Sequence, residues 1–189
     1  METKAEILQL LQQYIVQYPA EKQDVQGYID FVSEHEGDQL FDRKNFNGHI
    51  TASAFIINNE ANALLLLKHK ALNRWLQPGG HVDRSDSSLM NAALREAEEE
   101  TGISLADLIP VDLTVFDFDS HFIPENRRKQ EPGHYHHDIR FLFKCSKPGA
   151  IDIAKEESTD STWMNFEDLV NHEDFGRVVR KTKSLIDIK

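Results

Sequence analysis

The chain has 189 residues, enough for one compact domain with a sizeable hydrophobic core. Hydrophobic residues make up 40% of it and charged residues 28%, which is typical of globular proteins and argues against extensive disorder. The net charge of -11 disfavours binding to a nucleic-acid polymer, since such binding depends on Lys and Arg. An anionic substrate would need bound cations to reverse the local field.

The sequence also argues against a membrane protein and a secreted protein. The longest apolar run, Ala63 to Leu67, is far too short for a membrane helix, so we expect no membrane partner. The N-terminus has no basic segment followed by an apolar stretch, so no signal peptide is expected. Cys145 is the only cysteine, which excludes an internal disulfide and suits a reducing cytoplasm.

The first predicted elements are two helices. Apolar residues recur at helical spacing from Lys4 to Gln17 and again from Ala20 to Glu36, with Pro19 between the two segments. Neither helix could bury its apolar face alone, so we expect an N-terminal helical hairpin, residues 1–45, packed on a main domain of residues 46–189. The apolar surface of this hairpin is also compatible with a homodimer.

From Ile50 onwards the apolar pattern changes to that of strands mixed with helices. This mixed order predicts a mixed sheet with helices packed on it. The predicted strands are Thr51 to Asn58, Ala61 to Lys68, Val111 to Phe118, His137 to Cys145 and Thr162 to Asn165. Two helices are predicted in this part of the chain. The first runs from Ser85 to Thr101 with Ser85 or Asp86 as its cap, and the second runs from Phe166 to Ile186 with a break near Gly176. A tight loop is predicted at Pro78-Gly79-Gly80, and a long loop from Ser120 to Gly133.

Three glutamates stand out in the first of these later helices. Glu96, Glu99 and Glu100 are spaced i, i+3 and i+4, so they share one helix face, while Glu98 points elsewhere. Arg95 precedes Glu99 by four residues and can brace its carboxylate. Clustered carboxylates beside a backbone carbonyl suit Mg²⁺ or Mn²⁺, which also bind substrate phosphates.

The alternative is a solvated acidic face. Against it, like charges at this spacing destabilise a helix, and the helix dipole disfavours negative charge in the last turn. A double glycine upstream could also bring backbone carbonyls beside the carboxylates. These features favour a metal site.

Residues Gly80 to Ile103 resemble the motif of the Nudix hydrolases, G-x5-E-x7-R-E-U-x-E-E-x-G-U, where U is apolar. The second half matches in full, from Arg95 to Ile103. The first half departs, because Asp86 or Ser87 stands where the motif has Glu and one extra residue separates glycine from arginine. Further similarity to a Nudix subgroup extends over residues 48–169, including Trp75 to Val82 and Glu131 to Phe141.

The resemblance implies a Nudix fold, an α/β/α sandwich with a mixed sheet, to which the helical hairpin is added. It implies that Glu96, Glu99, Glu100 and the Gly80 carbonyl bind Mg²⁺ or Mn²⁺, and that Arg95 orients the glutamates. The implied reaction is hydrolysis of a nucleoside diphosphate linked to another group, by water attack on phosphorus. Many family members are dimers.

A second group of polar residues lies on the predicted strand before Cys145. His134, His136, Asp138 and Arg140 alternate, so they would share one face if the strand begins early enough. One interpretation is a cleft for substrate recognition or proton transfer, with Glu131 as a further carboxylate. The alternative is a sheet edge with a buried Asp138–Arg140 pair. A zinc site would need a fourth ligand, and Cys145 lies on the opposite face.

The basic segment Asn126 to Lys129 is either a phosphate clamp, through residues such as Arg127, or a solvated loop. The role of His81, just after the double glycine, stays open. Three functions remain in view: hydrolysis of a small nucleotide derivative such as a nucleotide sugar, hydrolysis of nucleoside triphosphates to remove damaged nucleotides, and nucleotide sensing without catalysis.

Overall fold

The computed structural model describes residues 1–127, 130–147, 149 and 151–187. Strands and helices follow each other in mixed order, as the sequence predicts. The helices are α1 (Lys4–Gln17), α2 (Lys22–Glu34), α3 (Leu89–Thr101), α4 (Phe166–Leu169) and α5 (Gly176–Asp187). The strands are β1 (His49–Ile57), β2 (Ala63–His69), β3 (Arg74–Leu76), β4 (Gly79–His81), β5 (Leu108–Pro110), β6 (Asp117–Ile123), β7 (His134–Cys145) and β8 (Ser158–Asn165).

Two compact units make up the chain, and each is built from several segments. The first unit contains Met1–Ser53, Gly79–Leu94 and Asp112–Phe141. The second unit contains Ala54–Pro78, Arg95–Val111 and Leu142–Lys189. Because of this division, β1, β7 and α3 each run from one unit into the other.

The N-terminal helices belong to the first unit and form the predicted hairpin. A capping box between Thr3 and Glu6 starts α1, and a short 3-10 turn at Pro19–Glu21 delays α2 to Lys22. The rings of Tyr14 and Tyr28 meet the ring of Phe118 in β6 at centroid distances of 4.8 and 5.2 Å. Burial of such side chains contributes about 1.5–3 kcal/mol each, so the hairpin is held mainly by its apolar face.

The strands of the first unit pair antiparallel in two places. β4 lies beside the start of β1, with Thr51 opposite His81 and Ser53 opposite Gly79. The approach is close, because a Cβ on Gly79 would lie 2.2 Å from the Ser53 hydroxyl oxygen. Only glycine therefore fits at this point of β4.

β6 and β7 form the other antiparallel pair of this unit, from Asp117 opposite Arg140 to Ile123 opposite His134. In this register His121 lies opposite His136. Several of the chain's histidines are therefore fixed on regular strands.

The second unit has its own antiparallel strands and core. β2 pairs with β3, with β8 and with the end of β1, where Ile57 lies opposite Leu64. Consecutive leucines of β2 are buried, which is typical of a strand covered on both faces. β5 pairs with the end of β7, where Leu108 lies opposite Cys145.

The strand predicted from Val111 to Phe118 is wrong for residues 111–116, and only Asp117 and Phe118 lie in a strand. The Asp112 side chain accepts hydrogen bonds from the backbone and hydroxyl of Thr114, which closes a turn instead. The strand β6 begins only at Asp117 and occupies the start of the segment predicted as a long loop.

The predicted start of α3 is also wrong, since the helix begins at Leu89 instead of Ser85. Asp86 closes a turn by accepting a hydrogen bond from the Asp83 backbone at 2.8 Å. Ser88 then caps the helix through the Asn91 backbone at 3.2 Å. The Glu2 carboxylate accepts a hydrogen bond from the Leu89 backbone at 3.0 Å, a contact between the first residues of the chain and this helix end.

The predicted C-terminal helix is broken near Gly176, as expected. α4 ends at Leu169 and α5 begins at Gly176, so the break precedes this glycine. In the described part of the chain, no helix combines the length and apolar character that a bilayer crossing demands.

Candidate active site

The glutamate face predicted from the sequence is present on the last turns of α3. The Arg95 Nη1 donates a hydrogen bond to Glu96 Oε1 at 2.8 Å and another to Glu99 Oε2 at 3.1 Å. One guanidinium thus holds two carboxylates in fixed directions, as the spacing predicts. Glu100, one position further, is buried.

The electrostatics of this face favour a bound cation. Burial raises the pKa of Glu96; Arg95 opposes this rise, whereas Glu99 and Glu157 add to it by charge repulsion. A single arginine therefore does not fully offset the negative charge around Glu96. The oxygens of Glu96 and Glu99, which Arg95 brings together, are of the kind that a hard divalent ion such as Mg²⁺ or Mn²⁺ prefers.

Glu98 has a different role, as its position on the helix predicts. Its carboxylate accepts a hydrogen bond from the Leu105 backbone at 3.2 Å. Gly102 follows the helix with φ +68, the left-handed conformation that glycine adopts readily at helix ends. Glu98 therefore stabilises the chain reversal after α3.

A segment that the sequence did not indicate lies along the end of α3. The Asp152 backbone donates a hydrogen bond to the Thr101 carbonyl at 3.0 Å, and the Ala154 backbone donates one to the Glu100 carbonyl at 3.2 Å. The segment leads to Glu157, whose charge acts on Glu96. No motif marks Glu157, because its proximity to the helix arises only from folding.

The irregular first half of the motif falls in the turn before α3. The Ser87 carbonyl accepts a hydrogen bond from the N-terminal amine of Met1 at 3.0 Å. Together with the turn from Asp83 to Asp86, this places the extra residue outside the helix. The spacing of residues within the glutamate face is therefore unaffected by it.

Gly80, the backbone ligand that the motif implies, lies in β4 opposite Ala52 of β1. The tight loop expected at Pro78-Gly79-Gly80 is a short strand from Gly79 onwards.

The polar residues of β7 share one face, as their alternation predicts, because the strand begins at His134. Their contacts differ along the strand. His134 and His136 face each other with their Nε2 atoms 3.3 Å apart. Asp138 instead accepts hydrogen bonds from Thr51 at 3.0 Å and Ser53 at 2.9 Å.

Arg140 completes a buried ion network. It donates hydrogen bonds to Asp138 at 2.8 Å, Asp119 at 2.8 Å and Asp117 at 3.3 Å. Burial disfavours the charged form of Arg140, but Asp138, Asp119 and Asp117 outweigh this and hold its pKa above its usual value. The geometry of Asp138 and Arg140 favours the buried ion pair over the interpretation as substrate ligands.

Four histidines form a cluster on neighbouring strands. The ring centroid of His49 lies 5.0 Å from that of His81, 5.1 Å from that of His134 and 4.6 Å from that of His136. Burial lowers the pKa of His136 to about 2 and that of His49 to about 4, and the neighbouring histidines add to both effects. Both rings are therefore neutral at pH 7. Sequence reasoning missed His49, although a polar residue at the start of an apolar strand was a signal.

Two other predicted residues line an open cavity of about 520 Å³. Arg127 and Glu131 lie on its wall, together with Glu125, Gln130, Pro132 and Gly133. Arg127 pairs with Glu125 at 3.5 Å, and Glu131 pairs with Arg43 at 3.6 Å. Arg128 and Lys129, the other two cations of the predicted basic segment, lie outside the described residues.

Comparison with known proteins identifies the family to which this chain belongs. A family model for the NUDIX domain matches residues 48–183, most of the chain. The chain belongs to the Nudix family. The match includes the whole of α3 and the histidine-bearing strands.

Curated relatives agree with this assignment. A probable DHNTP pyrophosphohydrolase of Lactococcus lactis subsp. cremoris is 30% identical over 132 residues, which is 69% of this chain and 75% of the relative. A bis(5'-nucleosyl)-tetraphosphatase of Rattus norvegicus is 42% identical over 52 residues, 28% of this chain and 35% of the relative. The predicted enzyme class, a Nudix hydrolase of pyrophosphate bonds, is confirmed at this level.

A solved structure supports the fold. The crystal structure of a C. elegans Ap4A hydrolase complex matches with a TM-score of 0.56 and 21% identity, covering 74% of this chain and 98% of that one. The predicted Nudix fold, with a helical hairpin added at the N-terminus, is therefore confirmed.

Proposed function

We propose that this Nudix protein hydrolyses a phosphoanhydride bond in a nucleoside diphosphate linked to another group, such as a nucleotide sugar, with Mg²⁺ or Mn²⁺. We also propose that residues 46–189 form the Nudix domain and residues 1–45 its helical extension. The observation that carries the catalytic proposal is the pair of carboxylates, Glu96 and Glu99, that Arg95 holds in fixed directions on one helix face.

In this proposal Glu96, Glu99 and Glu100 are the metal-binding carboxylates. The backbone carbonyl of Gly80, which the motif implies as a ligand, is the fourth group that binds the metal. A divalent ion bound there would neutralise the pyrophosphate oxygens and lower the pKa of the attacking water. In the net reaction water adds to phosphorus, the bond to the bridging oxygen breaks, and that oxygen leaves with the electron pair on the second phosphate.

Arg95 is a positioning residue in this scheme. Its guanidinium fixes the oxygens of Glu96 and Glu99, so their ligand geometry is set before any ion arrives. The segment from Asp152 to Glu157 stabilises the same helix end through backbone hydrogen bonds.

Substrate recognition is assigned to a separate group of residues. Arg127 and Glu131 line one open cavity, where Arg127 offers a cation to an anionic substrate. His134 and His136 lie in the first part of β7, and their ring nitrogens can bind polar groups of the substrate. Asp138 and Arg140 are satisfied by their own network, so we assign them a structural role.

A second candidate is hydrolysis of a triphosphate to a monophosphate and pyrophosphate. The Lactococcus lactis relative favours it, because its name gives pyrophosphohydrolase activity on DHNTP. The rat relative, named for a tetraphosphate that joins two nucleosides, favours the first candidate. The products distinguish the two. A nucleoside monophosphate with free pyrophosphate indicates the triphosphate route. Two monophosphates from a nucleotide sugar, or two nucleotides without free pyrophosphate from a dinucleoside polyphosphate, indicate the other.

The test is a panel of nucleotide sugars, dinucleoside polyphosphates and nucleoside triphosphates, each incubated in Mg²⁺ or Mn²⁺ with product identification. Glu99→Gln should lower turnover at least about 100-fold, because the loss of one metal-binding charge costs about 3 kcal/mol of transition-state stabilisation. Glu98→Gln is the matched control, since glutamine keeps the acceptor for the Leu105 backbone. Its turnover should equal that of the wild type.

Equal turnover in the two variants would contradict the assignment of the carboxylate face. Nucleotide binding without turnover of any panel member would instead support the third hypothesis, a sensing module that has lost catalysis.

A further inference from the structure

The histidine cluster is a preorganised group of ring nitrogens outside the carboxylate face of α3. His49 begins β1, His81 ends β4, and His134 and His136 lie in β7. One ring nitrogen each from His49, His81 and His136 falls within 4.8 Å of the other two. Because all three residues stand on strands, their spacing is set by the backbone rather than by flexible loops.

Close backbone contacts fix this arrangement. His81 lies in the position next to Gly80 and is placed by the pairing of Thr51 with His81. Gly48, just before His49, runs so near to β7 that a Cβ there would lie 2.9 Å from the His137 ring. The start of β1 and the end of β4 are therefore held where their histidines converge on β7.

The burial of His49 also indicates that the histidine cluster binds a ligand. Its side chain has no exposed surface, and among the described residues neither ring nitrogen makes a hydrogen bond of normal geometry. The Asn45 backbone favours its protonated form, but too weakly to offset burial. Buried polar groups almost always have a partner, and an orphaned imidazole in a cluster of imidazoles points to a ligand that bridges them.

We propose that His49, His81 and His136 bind one divalent transition-metal ion, with Zn²⁺ as the ion that best fits. Neutral imidazole is a preferred ligand of zinc, copper and nickel, whereas magnesium prefers oxygen. Tetrahedral zinc with bonds of about 2.05 Å needs ligand nitrogens about 3.4 Å apart, so small side-chain rotations would close the cluster. Three ligands leave a coordination position open for water or for an anionic oxygen.

His134 supports the site from one side. Its Nδ1 lies 2.9 Å from the Pro132 carbonyl, which fixes that nitrogen as the donor. Its Nε2 lies 3.3 Å from His136 Nε2. His134 thus orients the ring of His136 without being needed as a ligand.

None of the three zinc ligands is a carboxylate of α3, although His136 is also one of the proposed substrate contacts. The two sites therefore require different metals, and each can be lost without the other. Without a metal, the cluster would be four imidazole rings packed against one another, and this alternative predicts no stoichiometric binding.

The test uses the full chain without a histidine tag, stripped of metal with a chelator and titrated with Zn²⁺ by calorimetry. We expect one zinc ion per chain, and His81→Gln should weaken binding by at least about 100-fold, since even residues that only support a ligand cost 10–100-fold. His172→Gln is the matched control, because His172 is exposed and accepts a hydrogen bond from the Asp174 backbone. Glu99→Gln should leave zinc affinity unchanged.

X-ray absorption on the zinc-loaded wild type provides a measurement that needs no variant. Imidazole nitrogens in the zinc shell are expected. A shell of oxygens alone, zinc affinity that is equal in wild type and His81→Gln, or loss of binding in Glu99→Gln would each overturn the proposal. If His81→Gln does not fold by circular dichroism, His136→Gln takes its place with the same expectation.

Discussion

Asp138 offers a sharp test, because its two interpretations predict different measurements. If it is part of a buried ion network, its removal should destabilise the fold; if it binds substrate, its removal should raise KM and leave stability nearly unchanged. The structure favours the network. Asp138 is 2% exposed and accepts hydrogen bonds from Thr51, Ser53 and Arg140.

The size of the effect follows from these contacts. Asp138→Ala leaves two buried hydroxyls without their acceptor, at about 1–3 kcal/mol for each unsatisfied group. Arg140 keeps Asp117 and Asp119 as partners, so its charge is not left alone. We therefore expect the free energy of unfolding to fall by about 3–5 kcal/mol, as when one partner of a buried pair is removed.

The assay is urea unfolding followed by circular dichroism. Asp174→Ala is the control with the same substitution, because Asp174 forms an exposed ion pair with Arg74 that should contribute less than about 1 kcal/mol. A loss for Asp138→Ala no larger than that for Asp174→Ala would refute the network interpretation. A raised KM with unchanged stability would restore Asp138 to the substrate site.

Two further predictions follow from close contacts. Gly79→Ala should lower the free energy of unfolding by about 1–3 kcal/mol, because the new Cβ meets the Ser53 hydroxyl at 2.2 Å; an unchanged Tm would contradict the close approach of β4 to β1. Arg95→Gln should weaken Mn²⁺ binding about 10–100-fold in an electron paramagnetic resonance titration, since Glu96 and Glu99 lose their common brace. Equal affinity in that variant would show that the arginine does not set the ligand geometry.

The sequence determined the glutamate face. Helix geometry alone places Glu96, Glu99 and Glu100 together and sends Glu98 away, so a local rule was sufficient. The same holds for the alternation of His134 to Arg140 along β7, where period-two geometry assigns the face. The two N-terminal helices and the break between them were predicted for the same reason, since Pro19 and the apolar periodicity are local signals.

Local patterns were insufficient where a distant partner or a side-chain turn decided the structure. The apolar alternation from Val111 favoured a strand, but the Asp112 side chain closes a turn there. Residues 120–123 were predicted as the start of a long loop, yet they belong to the strand β6 because β7 supplies its hydrogen bonds. Strand pairing depends on residues far along the chain, so composition within the segment does not reveal it.

Only the tertiary structure decided the composition of the histidine cluster. His49, His81 and His136 are separated by 32 and 55 residues in the sequence, and no spacing rule links them. They meet because β1, β4 and β7 each bring one ring to the same place. Local geometry therefore fixes the carboxylates of a single helix, whereas a site assembled from several strands exists only after the chain has folded.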